Sequence, residues 1–545
     1  MRVRRRKGDF SVHAIAGTYV VMLGFNARKS ATKGLLGFAI HRSDLTENEN
    51  YWLRGFKTFE ETAPDVRPGS MVSTLEHPVQ SFFWGDYTAK PAHEYVYTVV
   101  PIYGEPKNIV RGKDIRIKIK TECEDRGTHA IYFNRGVAAS QAYVWKYGYK
   151  KPEKVANNEA LDWLSRGLET GLLDFIKKAK GRRYALRGAF YEFEYIPVLK
   201  AFGNASNSGA DVKIVYDARK NPTKKDNEKA IRKAGISGLM VKRKRGKSYI
   251  AHNKFLVLIK NGKAKQVWTG STNITNGGIF GQGNVGHIIR DEKTAEKYHD
   301  YWRKLSQDPS TSDLRKWNME NTSDPKRPIL KKGITPIFSP RLNKQYTVLN
   351  WYAECLDNAK QTINLTAAFG VNPLMADVLG KDKAYLRYLL LEKPGKNYGM
   401  LCRDIDVRIA IGSKLSYDYL YRWMREKLTG YNRWVSYIHT KFLLIDPLSD
   451  NPTVITGSAN FSEPSTIKND ENMLVIQGNK RVADIYLGEF MRLFNHFYFR
   501  SVVTRQSARQ GSDNRKSSFL KPDDSWCKRY YQKGSLKQKQ RLLFA

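Results

Sequence analysis

The sequence contains little cysteine and lacks any apolar run that is long enough to cross a membrane. Its four cysteines lie far apart without a CxxC pair, which argues against a secreted disulfide framework and against a zinc finger. A membrane helix needs about 20 consecutive apolar residues, and no segment reaches that length. The basic start MRVRRRKGDF is not followed by the apolar stretch of a signal peptide. We therefore expect a soluble cytoplasmic protein without a transmembrane segment.

Acidic residues are also few. The 545 residues include 53 Asp and Glu against 93 Lys and Arg, which gives a formal net charge of +40. Such an excess of positive charge predicts a polyanionic partner, either nucleic acid or an anionic membrane surface. Hydrophobic residues make up 41% of the chain, so it can fill several cores and is not globally disordered. The length fits about three or four domains.

The hydrophobic pattern changes along the chain. Residues 1–150 contain short runs rich in Val, Ile, Tyr and Thr, separated by Pro, Gly and Asn, which predicts a β-rich, sandwich-like N-terminal domain. From residue 158 onwards, strand-like runs alternate with apolar residues at helical spacing, which predicts α/β structure. The first helical stretch runs from Leu161 to Ala179 and predicts one amphipathic helix that ends at Gly181.

The α/β pattern occurs twice. We expect a first lobe over 158–305, a proline-rich linker over 306–340, a second lobe over 341–500 and a basic C-terminal tail over 501–545. The predicted fold class is therefore α/β, with two similar lobes packed face to face and preceded by the β-rich domain.

Each lobe carries the same short motif at the same spacing. The first copy reads SYIAHNKFLVL (248–258) and TGSTNIT (269–275), and the second reads VSYIHTKFLLI (435–445) and TGSANFS (456–462). In both copies the histidine of His-x-Lys precedes the glycine of Gly-Ser-x-Asn by 18 residues. A lone His-x-Lys pair means little, but two copies with one shared spacing indicate a duplicated functional site.

The residue types in this motif suit a phosphate group. Lys254 and Lys441 supply positive charge, and an imidazole can attack phosphorus or donate a proton near neutral pH. We therefore expect His252 and His439 on opposite sides of one phosphate, where one attacks in line and the other protonates the leaving oxygen. Neither a metal ion nor another cofactor is expected. The expected phosphate hydrogen-bond donors are Ser271, Asn273, Ser458 and Asn460.

These residues resemble the signature of the phospholipase D superfamily: His-x-Lys, four residues, Asp, then Gly-Ser-x-Asn, usually twice per chain. The resemblance covers residues 158–500. It implies a two-lobed α/β fold and a metal-independent phosphodiesterase that works through a phosphohistidine intermediate. The second copy matches in full and adds Asp446 and Glu471, whereas the first copy has Ile259 and Asn284 at the corresponding positions.

The difference between the copies leaves the roles of the two histidines open. A carboxylate that is hydrogen-bonded to an imidazole fixes its tautomer and favours its charged form. Glu471 can serve only one histidine in this way, and the sequence does not tell which. The family pattern implies that His252 is the nucleophile and that His439 is the acid. The resemblance also carries Asp446 over into the catalytic set, and we expect it to act mainly as a structural hydrogen-bond acceptor.

A basic run precedes the first motif. A charge run is usually only a solvated face, but the position of this one beside His252 and the overall charge favour a substrate-steering patch. The candidate nucleic-acid-binding residues are Lys242, Arg243, Lys244, Arg245 and Lys247.

The motif does not choose among substrates. The first hypothesis is a nuclease, with DNA favoured over RNA, because every neutralised backbone phosphate adds affinity. The second is a phospholipase D or phosphatidyltransferase acting on membrane phospholipids, because cationic surfaces also bind anionic membranes. The third is a nucleic-acid-binding module that has lost turnover. The sequence leaves the oligomeric state open.

Overall fold

The computed structural model describes residues 1–66, 70–136, 140–148, 150–246, 249–322, 332–412, 438–509 and 519–545, of which 140, 141 and 500–509 are described by their backbone alone. Lys247, a member of the predicted basic patch, lies outside the described residues. So does the start of the second motif copy, residues 435–437.

The described residues between 2 and 120 form mainly antiparallel β-structure. The strands are β1 (Arg2–Lys7), β2 (Phe10–Ala16), β3 (Val21–Ala27), β4 (Leu35–Asp44), β5 (Glu49–Trp52), β6 (Arg54–Gly55), β7 (Val72–Ser73), β8 (Phe83–Asp86), β9 (Glu94–Glu105), β10 (Asn108–Arg111) and β11 (Ile115–Lys120). One sheet has the order β1-β2-β3-β8 and the other β10-β9-β4-β5, with β11 also on β9 and a separate β6–β7 pair. In β11 every second side chain is buried, as expected for a strand with one face on a core. The two sheets share a hydrophobic core, which confirms the β-rich N-terminal region.

The first lobe is an eight-stranded sheet with helices packed against it. Its strands are β12 (Asp125–Arg126), β13 (His129–Phe133), β14 (Tyr184–Phe190), β15 (Asp211–Asp217), β16 (Met240–Arg243), β17 (Lys254–Lys260), β18 (Lys263–Gly270) and β19 (Val285–Ile289). Its helices are α1 (Ser140–Tyr147), α2 (Glu159–Ser165), α3 (Leu168–Lys177), α4 (Ile196–Asn207), α5 (Thr223–Ala234) and α6 (Glu292–Ser306). The order is β12-β13-β19-β18-β17-β14-β15-β16; β14, β15 and β16 run parallel, and the other pairs are antiparallel.

The helix predicted from Leu161 to Ala179 is two helices, α2 and α3. They are separated by Arg166 and Gly167, whose φ angles of 46° and 81° are left-handed and cannot continue a helix. The Arg166 guanidinium is buried and pairs with Glu489 at 2.6 Å. Helical spacing alone could not reveal this break, because the partner of Arg166 lies in the other lobe.

The second lobe repeats the first. Its elements are α7 (Thr311–Asn321), β20 (Gly333–Ser339), α8 (Val348–Asp357), β21 (Thr362–Ala367), α9 (Pro373–Leu379), β22 (Leu386–Leu391), α10 (Tyr398–Leu401), β23 (Val407–Ile411), β24 (Phe442–Ile445), β25 (Thr453–Gly457), α11 (Glu463–Ile467), β26 (Glu471–Gln477) and α12 (Lys480–Arg509). The order β20-β26-β25-β24-β21-β22-β23 matches β13-β19-β18-β17-β14-β15-β16 strand for strand. The predicted α/β class with a repeated lobe is therefore confirmed.

The segment between the two predicted lobes is also structured in its described residues. Residues 306–340, predicted as a linker, contain α7 and also β20, which completes the second sheet by pairing with β26. Short 3₁₀ or π turns cover Lys29–Thr32, Pro152–Lys154, Ala156–Asn158, Ser237–Leu239, Gly277–Gly281 and Asp524–Cys527. In the part of the chain that the structure describes, no helix combines the length and the apolar character needed to cross a lipid bilayer.

The last residues of the chain pack against the N-terminal sheets. This segment contains α13 (Lys528–Tyr531) and α14 (Leu536–Phe544). The Trp526 indole donates a hydrogen bond to the carbonyl of Leu35 at 2.9 Å, and the ring of Phe544 lies 4.3 Å from that of Phe83. Residues 519–545 of the predicted basic tail therefore belong to the packed N-terminal region.

Candidate active site

The two motif copies meet where the lobes contact each other. Lys254 begins β17 and Lys441 directly precedes β24, so the two His-x-Lys segments enter equivalent strands at the same end. Two backbone hydrogen bonds join the lobes here: His439 donates its N–H to Gly283 at 3.2 Å, and Asp470 donates to Ile250 at 3.1 Å. Both histidines are buried, and one site is formed from both lobes.

Each histidine contacts a residue from the opposite lobe. Nδ1 of His252 lies 2.9 Å from Oε2 of Glu471, and Nδ1 of His439 lies 2.9 Å from Oδ1 of Asn284. Glu471 therefore contacts the first-motif histidine across the interface, which the sequence could not decide. An amide oxygen only accepts, so His439 carries its proton on Nδ1. His252 is the histidine that has a carboxylate partner.

The two motif serines hold these partners in place. Ser458 donates its hydroxyl to Glu471 at 2.7 Å, and Ser271 donates to Asn284 at 2.8 Å. Both serines are fully buried. They were expected to donate to phosphate, but their hydroxyl protons are given to Glu471 and Asn284, so the serines orient the histidine partners.

The lysines and asparagines line the position expected for phosphate. The Lys254 and Lys441 ammonium groups donate to the carbonyls of the histidine two residues earlier, at 2.7 and 2.6 Å. Asn273 donates its amide to a carboxylate, that of Glu192. Within the described part of the chain, Oδ1 of Asn273 and Oδ1 of Asn460 are buried without a hydrogen-bond partner, which is unusual for a buried polar atom. Two buried acceptor atoms without a donor fit a site that binds a polar ligand.

Burial controls the protonation of the site. Desolvation, together with the charges of Lys254 and Lys441, holds the pKa of His252 well below 6.5, and burial with the same lysines does so for His439. Burial raises the pKa of Glu471 to about 8, against the effect of Lys254, and lowers the pKa of Lys254 to about 8. A buried phosphate anion would stabilise the charged form of both lysines.

Two acids that the sequence analysis did not single out position the histidines. Asp217 accepts from the N–H of Ala251 at 3.3 Å, and Glu392 accepts from the N–H of Ile438 at 3.0 Å, so each acid holds the residue just before a histidine. They lie at the ends of the equivalent strands β15 and β22. A signal was available, because each lobe has an apolar run that ends in an acid, KIVYD and YLLLE.

Asp446 does not belong to the catalytic set. It follows β24, whereas His439 precedes that strand, so the two residues lie at opposite ends of it. Its carboxylate accepts from the N–H groups of Lys360, Gln361 and Thr362 at 2.8, 2.6 and 3.0 Å. The second-motif aspartate therefore fixes the turn into β21.

Arg243 is also not where the sequence analysis placed it. Its side chain is fully buried, and it donates to Asp470 at 2.9 Å and to Asp308 at 2.7 Å. Arg219 donates to the same Asp470 oxygen at 2.8 Å. Arg243 therefore belongs to an ion cluster between the lobes and offers no charge to a surface ligand.

The described remainder of the basic run is exposed. Lys242 pairs with Glu228 at 2.9 Å, and the side chains of Lys244 and Arg245 lie in solvent. Lys242 lies on β16, which β14 and β15 separate from β17, and Lys244 and Arg245 directly follow β16.

One cluster among the described residues has the donors for a metal ion. It consists of Asp44, Glu47 and His93 in the N-terminal region, where His93 lies 2.8 Å from Asp44. Glu47 already pairs with Lys90. This cluster shares no residue with the two-histidine site.

Comparison with known proteins identifies the repeat. The family model described as "Cardiolipin synthase, PLD-like domain" matches residues 172–306 and 353–494, about half of the chain. These two ranges contain the two motif copies and most strands of the two sheets that carry them. No curated protein sequence was found to match the chain.

Several solved structures are similar to the chain. A polyphosphate kinase from Porphyromonas gingivalis has 10% identity and a TM-score of 0.38, over 58% of this chain and 46% of the kinase, so this chain spans about half the kinase's length. A phosphatidylserine synthase from Haemophilus influenzae Rd KW20 has 12% identity and a TM-score of 0.44, over 70% of this chain and 93% of that one. Nuc, a phospholipase D family member from Salmonella typhimurium, has 19% identity and a TM-score of 0.22, over 30% and 96%.

Proposed function

Because the chain belongs to the phospholipase D superfamily, we propose that it is a metal-independent phosphodiesterase that cleaves nucleic acid, with DNA as the favoured substrate. The observation that supports this most strongly is the pair of buried histidines, each bound to a polar side chain of the opposite lobe and each followed by a buried lysine. The proposed catalytic unit consists of the lobes over 158–305 and 341–500.

In the proposed reaction His252 is the nucleophile. Its Nε2 attacks phosphorus while the bond from phosphorus to the leaving oxygen breaks. His439, whose charged form the bound phosphate anion stabilises, gives that oxygen the proton on its Nε2 and keeps the proton on Nδ1. The attacking imidazole becomes positively charged, and the carboxylate of Glu471 at Nδ1 stabilises this charge. At Nδ1, His439 has the neutral amide of Asn284 instead of a carboxylate, so its charged form is stabilised less and it releases the Nε2 proton more readily.

The second half of the reaction reverses the roles. A water molecule attacks phosphorus, His439 takes the proton of the water, and the bond between phosphorus and His252 breaks. The product is a phosphate monoester with free His252. Lys254 and Lys441 neutralise the phosphate oxygens in both steps, because their ammonium groups lie beside the histidines in the buried site.

Charge supports nucleic acid as the substrate. The net charge of +40 and the exposed Lys244 and Arg245 near the first motif provide the phosphate contacts that such a substrate needs. A second candidate is a phospholipase D or phosphatidyltransferase. It is favoured by Phe369 and Leu374, which follow β21 and expose 66% and 40% of their surface near the catalytic end of the second sheet.

The direct test is cleavage in excess EDTA. Labelled DNA, RNA and anionic phosphatidylglycerol vesicles are each incubated with the wild type, with His252→Ala and with His41→Ala, a control that removes a histidine from the N-terminal sheet. We expect DNA cleavage by the wild type and by the control but not by His252→Ala. Headgroup release from vesicles without DNA cleavage would instead establish the lipid enzyme, and equal cleavage by His252→Ala would contradict the two-histidine site.

A further inference from the structure

A carboxylate that the two-histidine reaction does not use lies beside the first motif. Glu192 follows β14, and its Oε2 accepts a hydrogen bond from Nδ2 of Asn273. The backbone is fixed here, because the carbonyl of Glu192 accepts the N–H of Ile274 at 3.0 Å. Asn273 is one of the amides expected to bind phosphate. Glu192 therefore accepts a hydrogen bond from an N–H group that would otherwise donate to a phosphate oxygen.

The charge of Glu192 reaches both lysines of the site. Burial lowers the pKa of Lys254 and of Lys441, and the negative charge of Glu192 opposes this shift at both. The two lysines come from opposite lobes. The charge of Glu192 therefore acts on the lysines of both lobes that are expected to bind the phosphate.

The second lobe shows that the fold does not need an acid at this position. In the β14–β17 pair, Glu192 lies two residues beyond the partner of Lys254. Continuing the register of the β21–β24 pair places Phe369 two residues beyond the position opposite Lys441. Since an exposed phenylalanine takes the same place in the repeated fold, the carboxylate of Glu192 is better explained by an effect on the ligand.

We propose that Glu192 is a specificity-determining residue that favours singly charged phosphodiesters and disfavours doubly charged phosphate monoesters. The proposal rests on the phosphodiesterase function and adds the charge of the group that the site accepts. A diester carries one negative charge, whereas a monoester has a second pKa of about 6 and carries nearly two charges at neutral pH. Coulomb repulsion by a fixed carboxylate grows with the charge of the ligand.

This selection has a consequence for turnover. The lysines attract any phosphate, and hydrolysis converts a diester into a monoester with a second charge. Without Glu192 the two lysines would hold the product more tightly than the substrate. The Glu192 carboxylate beside Asn273 repels the doubly charged monoester product more strongly than the singly charged diester substrate. Glu192 therefore favours product release.

Direct binding of two small probes to the full chain tests the proposal. Dimethyl phosphate has one negative charge and methyl phosphate nearly two, and each is titrated at neutral pH by calorimetry. In Glu192→Gln the side chain keeps its shape and can still accept from Asn273. We expect methyl phosphate to bind about tenfold more tightly than to the wild type and dimethyl phosphate about threefold, because the electrostatic free energy doubles with ligand charge.

Two further variants complete the experiment. Glu192→Asp keeps the charge and should keep the wild-type preference between the probes. Glu105→Gln makes the same charge change at an exposed position at the end of β9 and should leave both affinities unchanged.

Equal tightening of both probes in Glu192→Gln, or no tightening, would overturn the selective role. Weaker binding of both probes would assign Glu192 to orienting Asn273 and would overturn it as well. If the wild type bound neither probe, the phosphodiesterase function itself would fail, and the proposal with it.

Discussion

The hydrogen-bonded neighbours of His252 and His439 correspond, apart from the partner of Nδ1. Each is followed by a lysine that donates to its carbonyl, and each faces a side chain that a buried serine holds. That side chain is the carboxylate of Glu471 at His252 and the neutral amide of Asn284 at His439. The proposed assignment of nucleophile and acid therefore rests on the difference in charge between these two Nδ1 partners.

Removing that charge should disable the nucleophile. In Glu471→Gln the hydrogen bond to His252 can persist, but the positive charge that forms on attack loses its counter-charge. We expect kcat for a nitrophenyl phosphodiester to fall by about 100-fold or more. Asn284→Ala is the matched variant, and it should lower kcat much less with this substrate, because nitrophenolate leaves without a proton from His439. A larger loss in Asn284→Ala would assign the attack to His439.

The expected pH dependence of kcat/KM follows from opposite pKa shifts in two residues of the site, Glu471 and Lys254. Burial raises the pKa of Glu471 to about 8, and Glu471 must lose its proton to accept the Nδ1 proton of His252 and leave Nε2 free. Burial lowers the pKa of Lys254 to about 8, and Lys254 must keep its proton to bind phosphate. A profile of kcat/KM should therefore rise towards about pH 8 and fall above it.

Lys254→Arg separates the two limbs of this profile. Arginine stays protonated at every accessible pH, so the fall on the alkaline side should move upward in pH while the rise on the acid side stays. An alkaline limb that does not move in this variant would contradict the assignment to Lys254.

Spacing and residue type predicted the motif residues but not their partners. The sequence places His252 and Glu471 219 positions apart, and only the packing of the lobes brings them together. Arg243 looked like a surface cation, because its neighbours in the run are charged, but strand alternation turns it towards buried acids. Contacts between lobes leave no periodic pattern in a sequence, so these details could not be derived from it.

At the scale of elements, the segment before β26 is fixed by buried charges. Asp470 lies between the guanidinium groups of Arg219 and Arg243, at 2.8 and 2.9 Å, and all three side chains are buried. The next residue is Glu471. The ion cluster therefore holds the start of β26 against the first lobe and sets the position of the carboxylate beside His252.

Breaking this cluster should destabilise the protein. Asp470→Ala leaves the buried guanidinium of Arg219 without its carboxylate partner, which typically costs about 3–5 kcal/mol. The free energy of unfolding, measured with urea, should fall by that amount. Asp450→Ala removes an exposed aspartate that pairs with Lys480 and should leave stability unchanged. Equal stabilities of the two variants would show that the cluster does not hold the lobes.

At the scale of the molecule, the C-terminal residues pack against the N-terminal sheet. His13 in β2 contacts the carbonyl of Phe544 at 3.1 Å, and a Cβ at Gly24 would lie 1.9 Å from the same oxygen. Two lobes and a β-rich region could be predicted, because repeats and alternation are local patterns. The docking of the last residues could not, because it joins positions more than 500 residues apart.

Truncation of the Phe544 ring should therefore weaken the N-terminal region. The ring is buried and packs 4.3 Å from that of Phe83, so Phe544→Ala should lower the free energy of unfolding by about 3–5 kcal/mol. Phe499→Ala is the matched control, since Phe499 is 42% exposed, and urea unfolding of this variant should differ little from the wild type. A loss in Phe544→Ala no larger than in the control would contradict the docking.

The measurement that tests the central claim most directly is the identification of the covalent intermediate. The protein is mixed with a nitrophenyl phosphodiester in excess EDTA, quenched with base to preserve phosphohistidine, and digested for mass spectrometry. We predict a phosphorylated His252, with more adduct in His439→Asn, because water then attacks without a base. An adduct on His439, or turnover without any adduct on His252 in both proteins, would contradict the account.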